Sequence, residues 1–191
     1  YTTLFRSENM ADPQTVPLSI VSSAAMNSFG AYATIAVGSN VLNQNVASNN
    51  PNYWFVVLDR SNLSVVSNQL QSAPDQVPSL GGYNDSNHIL VVATLGLGLD
   101  RQPQGALFNF LDVNGAGRQL RRIEQLATQI GCGSLGTFGY ALVGVLGNQN
   151  QPGFEASSVA ASPTGPIVTV QLLPVTVQGQ TLYTPIQLSD A

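Results

Sequence analysis

His88 is the only histidine of the chain and Cys132 its only cysteine, so nucleophilic or metal chemistry has few residues to draw on. His88 stands at the mouth of an apolar run and is preceded by "YNDSN". A Ser-His-Asp triad needs a nucleophile in a strand-to-helix elbow, and no G-x-S-x-G occurs. A metal site needs several His, Cys or carboxylate ligands, and Asp85 with His88 is too few. His88 reads instead as a strand-entry histidine satisfied by turn groups. Cys132 lies between glycines in "GCGS" and admits two readings, a nucleophile or intermolecular bridge, and a small apolar residue in a turn. The residues favour the second, because no partner motif accompanies it.

Other candidate motifs fail on spacing. "GLGLDRQPQG", residues 96–105, lacks G-x-G-x-x-G, and prolines stand where a phosphate-binding helix would begin. Asp59 with Asp100, or Asp85 with Asp100, could form a glycosidase carboxylate pair, but nothing in the spacing selects one, and turn or cap roles account for them. The six basic residues are all arginine, and only Arg118, Arg121 and Arg122 cluster. With a net charge of −4, this argues against nucleic acid, whose phosphates need clustered cations. No cofactor is expected.

The elements that would position any site follow from composition and periodicity. Charged residues are only 8% of the 191, against roughly 25% in ordinary soluble domains, so the polar surface is mostly Ser, Thr, Asn and Gln. Hydrophobic residues make up 43% and allow one domain with a proper core. No apolar run approaches the ~20 residues of a membrane-spanning helix. "AYATIAV", residues 31–37, alternates with a period of two and is followed by the turn Gly38-Ser39-Asn40. "NQNVASNNPN", residues 43–52, reads as a loop. "YWFVVLD", "HILVVATLG" and "YALVGVL" are nearly continuous apolar runs, as in strands buried on both faces, and "SVVSNQL" returns from the first as a hairpin. Gly144 inside the third suggests a bulge or a close backbone approach.

Residues 102–117 read as a long connection docked through Leu107, Phe108, Phe110, Leu111 and Val113. Leu120, Ile123, Ala127 and Ile130 form the apolar stripe of one principal amphipathic helix, about 116–130, with Asn114 as N-cap and Gly131 as C-terminal stop. "PIVTVQLLPV" and "TLYTPIQL" form a terminal hairpin, which Pro174 and Pro185 confine to a sheet edge. The expected fold class is α+β, mainly antiparallel, with β-sandwich-like sheets and that one helix.

The succession of a strand ending "VVLD", a hairpin return "SVVSNQL", "HILVVAT", "RIEQLATQIGCGS" and then Tyr140–Gly147 resembles the interleukin-like EMT inducer domain over about residues 16–160. The resemblance implies a mainly antiparallel fold, no enzymatic activity and no cofactor. Family members are secreted signalling proteins, and a similar domain in the stem of a protein-O-mannose N-acetylglucosaminyltransferase binds a sugar. That sugar site uses an acidic residue just after the central strand and an arginine just before the last one. Here those places hold Leu95-Gly96-Leu97 and Thr137-Phe138-Gly139, and the family's disulfides have no cysteines to form them. The resemblance implies a glycan or protein ligand beside loop 95–104 and turn 137–139, and the polar residues of turn 147–153 extend the expected site. Asp100 and Arg101 would supply charge and donors, Thr137, Phe138 and Tyr140 the wall, and Asn148 and Gln149 the amides. The alternative is an assembly subunit that pairs through its C-terminal strands.

Residues 161–191 are expected to be a strand extension packed on the same domain, and 8–15 a leader. "YTTLFRS", residues 1–7, reads codon for codon from the end of a common sequencing-library adapter and is expected to add nothing to the fold. Met10 is then a candidate start without a signal peptide, whereas a lost upstream signal would make the protein extracellular. A chain starting at Met10 is expected to melt within about 2 °C of the full chain in a calorimetric scan. A large loss of stability would contradict the adapter reading.

Overall fold

The computed structural model describes residues 14–23, 30–47, 50–130, 136–148, 151–159, 165–177 and 179–187. Cys132, Gly131 and Gln149 lie outside them. The strands in chain order are β1 Val16–Val21, β2 Ala31–Val37, β3 Asn40–Val46, β4 Asn52–Asp59, β5 Val65–Gln71, β6 His88–Leu95 and β7 Leu97–Gly98. Helices α1 Gly105–Val113 and α2 Arg118–Ile130 follow, then β8 Thr137–Val145, β9 Phe154–Val159, β10 Ile167–Val177 and β11 Gln180–Ile186. All strand ladders are antiparallel.

Three layers result. The outer sheet runs β11-β10-β1-β2-β3. The central sheet runs β5-β4-β6-β8, with β7 continuing along β8 and β9 pairing the other side of β8. One face of the central sheet, carrying Trp54, Val56, Leu58, Ile89, Val91, Ala141 and Val143, packs against Leu18, Ile20, Ala33, Ile35, Val170 and Leu172 of the outer sheet. The other face, carrying Tyr53, Phe55, Val57, Leu90, Val92, Tyr140 and Leu142, packs under the helices through Leu107, Phe110, Leu111, Leu120, Ile123 and Ala127. Burial on both faces is why β4, β6 and β8 read as continuous apolar runs rather than alternating ones.

This is the mainly antiparallel, sandwich-like α+β class expected from the sequence, with two corrections in its helices. Residues 105–113 are helical, not a plain connection: Leu107, Phe110 and Leu111 stand at i, i+3 and i+4 and are all buried. Gly105 has a φ of 50° and no side chain to satisfy the first turn, so the usual start signal was absent. Asn114 does not start α2 but ends α1. Its Nδ2 donates to the Phe110 carbonyl at 2.8 Å, and its Oδ1 accepts from the Gly147 amide at 2.8 Å. The start of α2 is capped from another element: Glu155 on β9 accepts from the Gln119 amide at 2.7 Å and from the Tyr140 hydroxyl at 2.8 Å. A carboxylate there faces the positive end of the helix dipole. Burial, and then the Glu155 charge, push the Tyr140 hydroxyl well above its ordinary pKa, so it stays a donor.

Residues 43–46, expected in a loop, belong to β3, which returns from the Gly38–Ser39 turn in unbroken register from Val37↔Asn40 to Ala31↔Val46. The close approach suggested for Gly144 is present. A Cβ there would lie 2.5 Å from the Asn114 carbonyl oxygen, because the turn between the helices rests its backbone on β8. Gly153 completes the contact, its amide donating to the Gly115 carbonyl at 2.8 Å. Of the two terminal strands expected at the sheet edge, β11 with Pro185 is there, but β10 lies inside the sheet between β11 and β1 and accommodates Pro174 because it has run past the end of β1.

The sheets are joined at a buried hydroxyl node. The β6–β8 ladder passes from Ala93↔Ala141 to Leu97↔Phe138, so one extra residue lies on the β6 side. There the Thr94 hydroxyl takes the Tyr140 amide at 2.8 Å, and Ser22, leaving β1, bonds both the Thr94 backbone and its hydroxyl. Every group at this bulge is paired inside the protein, as buried polar groups must be. Ile123 is fully buried at the helix–sheet interface, so Ile123→Ala is expected to cost about 2–5 kcal/mol in denaturant unfolding. An unchanged midpoint would mean that this helix face is not the docked one.

Candidate functional site

Of the seven residues selected from the sequence, the structure describes six, and it does not bring those six together. Asp100 and Arg101 are exposed on the 3-10 turn Leu99–Arg101, beside Thr137 and Phe138, because Leu97 pairs with Phe138. Asn148 lies past the other end of β8 and donates from Nδ2 to Gln151 Oε1 at 3.2 Å. Nine residues of extended strand separate the two groups, about 25 Å. Phe138 and Tyr140 are fully buried under the helices, so neither presents a ring face to a ligand. The main chain of Arg101 has a structural task, since its carbonyl accepts from the buried Tyr53 hydroxyl.

His88 is held as its position suggested. Its Nδ1 lies 2.8 Å from Asp85 Oδ1, and its ring meets that of Tyr83 at a centroid distance of 4.9 Å. The Asn87 amide, and then His88 itself, hold the Asp85 carboxyl below its usual range. Among the described residues no group of three or more His, Cys, Asp or Glu is placed to hold a metal ion. None of their helices is long and apolar enough to cross a membrane.

Arg60 is a buried cation that the sequence did not single out. Its guanidinium donates to the Tyr183 carbonyl at 2.7 Å, the Ser86 carbonyl at 2.6 Å and the Thr184 hydroxyl at 2.7 Å. Its own carbonyl accepts the Tyr183 amide at 2.8 Å. Both outward backbone groups of Tyr183 are therefore occupied, and β11 is closed at its middle. Burial lowers the pKa of the guanidinium from its ordinary value, and the three acceptors compensate the lost water.

Among the described residues, one open hollow of about 250 Å³ lies among Thr169, Val170, Gln171 and Gln187, and two others exceed it in volume. The larger, about 430 Å³ and open, lies on α2 among Arg118, Gln119, Arg121, Arg122 and Gln125. Its lining holds arginines and glutamines and no aromatic ring, and Arg121 is already committed to Asp112 at 2.7 Å. The other, about 280 Å³, lies on the outer sheet among Tyr32, Ala33, Thr34, Asn43, Gln44 and Asn45. Here the pleat puts Tyr32 and Thr34 of β2 on one face, directly opposite Asn45 and Asn43 of β3. Tyr32 is 52% exposed. The Thr34 hydroxyl donates to Asn43 Oδ1 at 2.9 Å, which fixes that amide while its NH₂ keeps two donors. The hollow is thus an aromatic ring beside oriented amides.

The strands around it are uncharged. Strands β1, β2, β3, β10 and β11 contain no Asp, Glu, Lys, Arg or His, so the outer sheet carries no ionisable acid or base apart from tyrosine. The charges of the described residues lie on the helices, the central sheet and its loops. Tyr32 was legible as the polar-face residue of an alternating strand. Asn43 and Asn45 were not, because β3 was taken for a loop. The available signal was the alternation of Leu42, Gln44 and Val46 directly after a turn. No protein-family model matches this chain, and no curated protein matches it.

The Arg60 arrangement makes a measurable claim. Arg60→Ala is expected to cost about 1–3 kcal/mol in denaturant unfolding. Arg60→Lys should restore little, because an ammonium cannot span three separated acceptors. An unchanged unfolding midpoint in Arg60→Ala would show that the guanidinium does not hold β11.

Proposed function

We propose that the protein is a non-catalytic recognition module that binds a neutral glycan on the outer face of its β11-β10-β1-β2-β3 sheet, around Tyr32. The observation that carries this reading is the exposed Tyr32 ring flanked across the strand pair by Asn45, with Asn43 held by Thr34, on a face without charge. A pyranose has an apolar C–H face and a rim of hydroxyls. The ring takes the first, and side-chain amides, which donate and accept from adjacent atoms, take vicinal hydroxyls. An uncharged ligand also loses no ion hydration on binding, and this face offers no countercharge to offset such a loss. The hollow is shallow and suits one or two sugar units, so single-site affinity is expected to be weak.

The resemblance to the interleukin-like domain supports a recognition role but points to a different place, the end of the central sheet near Asp100 and Arg101. We place the ligand instead on the outer sheet, because Phe138 and Tyr140 are buried whereas the Tyr32 ring is exposed. A glycan array of neutral and acidic oligosaccharides is the direct test. Wild type is expected to retain neutral glycans, Tyr32→Ala to lose at least about tenfold in affinity, equal to 1.4 kcal/mol, and Asp100→Ala to bind as wild type. Absence of any wild-type signal, or loss with Asp100→Ala and not with Tyr32→Ala, would overturn the reading.

A further inference from the structure

The strand edges of this protein are unequally protected. An open edge offers unpaired backbone donors and acceptors, and proteins blunt such edges with charge, proline, bulges or covering groups. On the outer sheet, β11 has Pro185, and Tyr183 is occupied by Arg60. On the central sheet, the ladder of β5 slips by one residue between Val57 and Leu58, and β9 carries the charged Glu155. Strand β3 has none of these. "NVLNQNV" contains no charge and no proline over seven residues, its register with β2 is unbroken, and its side facing away from β2 is an edge of the sheet. Among the described residues, no backbone hydrogen bond reaches β3 from any element other than β2.

We propose that β3 pairs antiparallel with β3 of a second copy of this chain, joining two outer sheets into one ten-stranded sheet. The occupant follows from the other edge. Growth from β3 onto β11 of a neighbour would build an open fibre, but Arg60 and Pro185 block β11 to backbone pairing. The remaining combination of outer-sheet edges is β3 with itself, which is isologous and closes as a two-fold dimer. Centred on Asn43, the pairing sets Asn43 against its own copy and Val41 against Asn45 of the second copy. The uncharged strand meets itself without like-charge repulsion. Val41, 53% exposed in the single chain, gains a cross-strand neighbour on the outer face. The two Tyr32 hollows then lie about 20 Å apart on one continuous surface, from three strand spacings across and four residues along.

The dimer is independent of the glycan reading and is measured without ligand. Sedimentation velocity of the full chain over a wide concentration range is expected to show a species with the mass of two chains. Asn43→Lys and Asn43→Asp each place like charges opposite one another at the two-fold axis. Each alone is expected to sediment as a monomer with an unchanged far-UV spectrum, and an equimolar mixture is expected to restore the dimer through Lys–Asp pairing. Tyr32→Ala should dimerise as wild type even where it fails to bind glycan. A wild-type monomer at every concentration, or a dimer indifferent to both Asn43 substitutions, would overturn the proposal. So would a failure of the folded variants to re-associate on mixing.

Discussion

A central sheet with two apolar faces is the constraint from which the rest of this structure follows. Strands β4, β6 and β8 bury every residue from Asn52 to Leu58, from His88 to Leu95 and from Phe138 to Val145, so each face needs a cover. The outer sheet covers one and the helix pair the other. Because these covers come from distant parts of the chain, they must be tied on. The ties are polar: Ser22 to Thr94, whose hydroxyl also takes the Tyr140 amide at the bulge, Glu155 to the start of α2, Asn114 between α1 and Gly147, and Arg60 to β11. Each tie satisfies groups that burial would otherwise leave without water. Hydrophobic burial sets the layering, and these few hydrogen bonds fix the register.

The same arrangement limits where function can lie. Aromatic residues of the central sheet, including Phe138 and Tyr140, are used up as core. The hollow on α2 is lined by arginines and glutamines and holds no aromatic ring. The outward face of the outer sheet combines an exposed ring and oriented amides on strands without charge, and among the described residues no backbone group pairs with the edge of that same sheet at β3. A recognition face and an association edge would then lie side by side on β2 and β3. Two weak sites brought together on one surface bind a repeating ligand with more than the strength of either.

How much of this could be read from the sequence depended on the range of the interaction involved. The central strands were legible because two-sided burial writes itself as an unbroken apolar run, and α2 because its stripe repeats at helical spacing. Gly144 was legible as a close approach because a glycine inside such a run has few other uses. Strand β3 was hidden because an edge strand facing water on one side can be built almost wholly from Asn, Gln and Val. Helix α1 was hidden by the prolines and glycines around it, although Leu107, Phe110 and Leu111 carried its spacing. The roles of Arg60 and Glu155 could not be seen locally, since their partners lie 123 and 36 residues away. Of the seven proposed ligand residues, five were grouped by the position of a loop or turn in a family pattern, and the length of β8 separates that group from Asn148.

The account stands or falls on which face meets the ligand. Amide chemical-shift mapping of the isotopically labelled chain, titrated with neutral oligosaccharides, reads this residue by residue. The account predicts saturable shifts concentrated at Tyr32, Thr34, Asn43 and Asn45, with α2 and the Leu99–Arg101 turn unmoved. Shifts confined to Arg118–Gln125 or to Asp100 and Thr137, or no saturable shift from any neutral glycan, would contradict it.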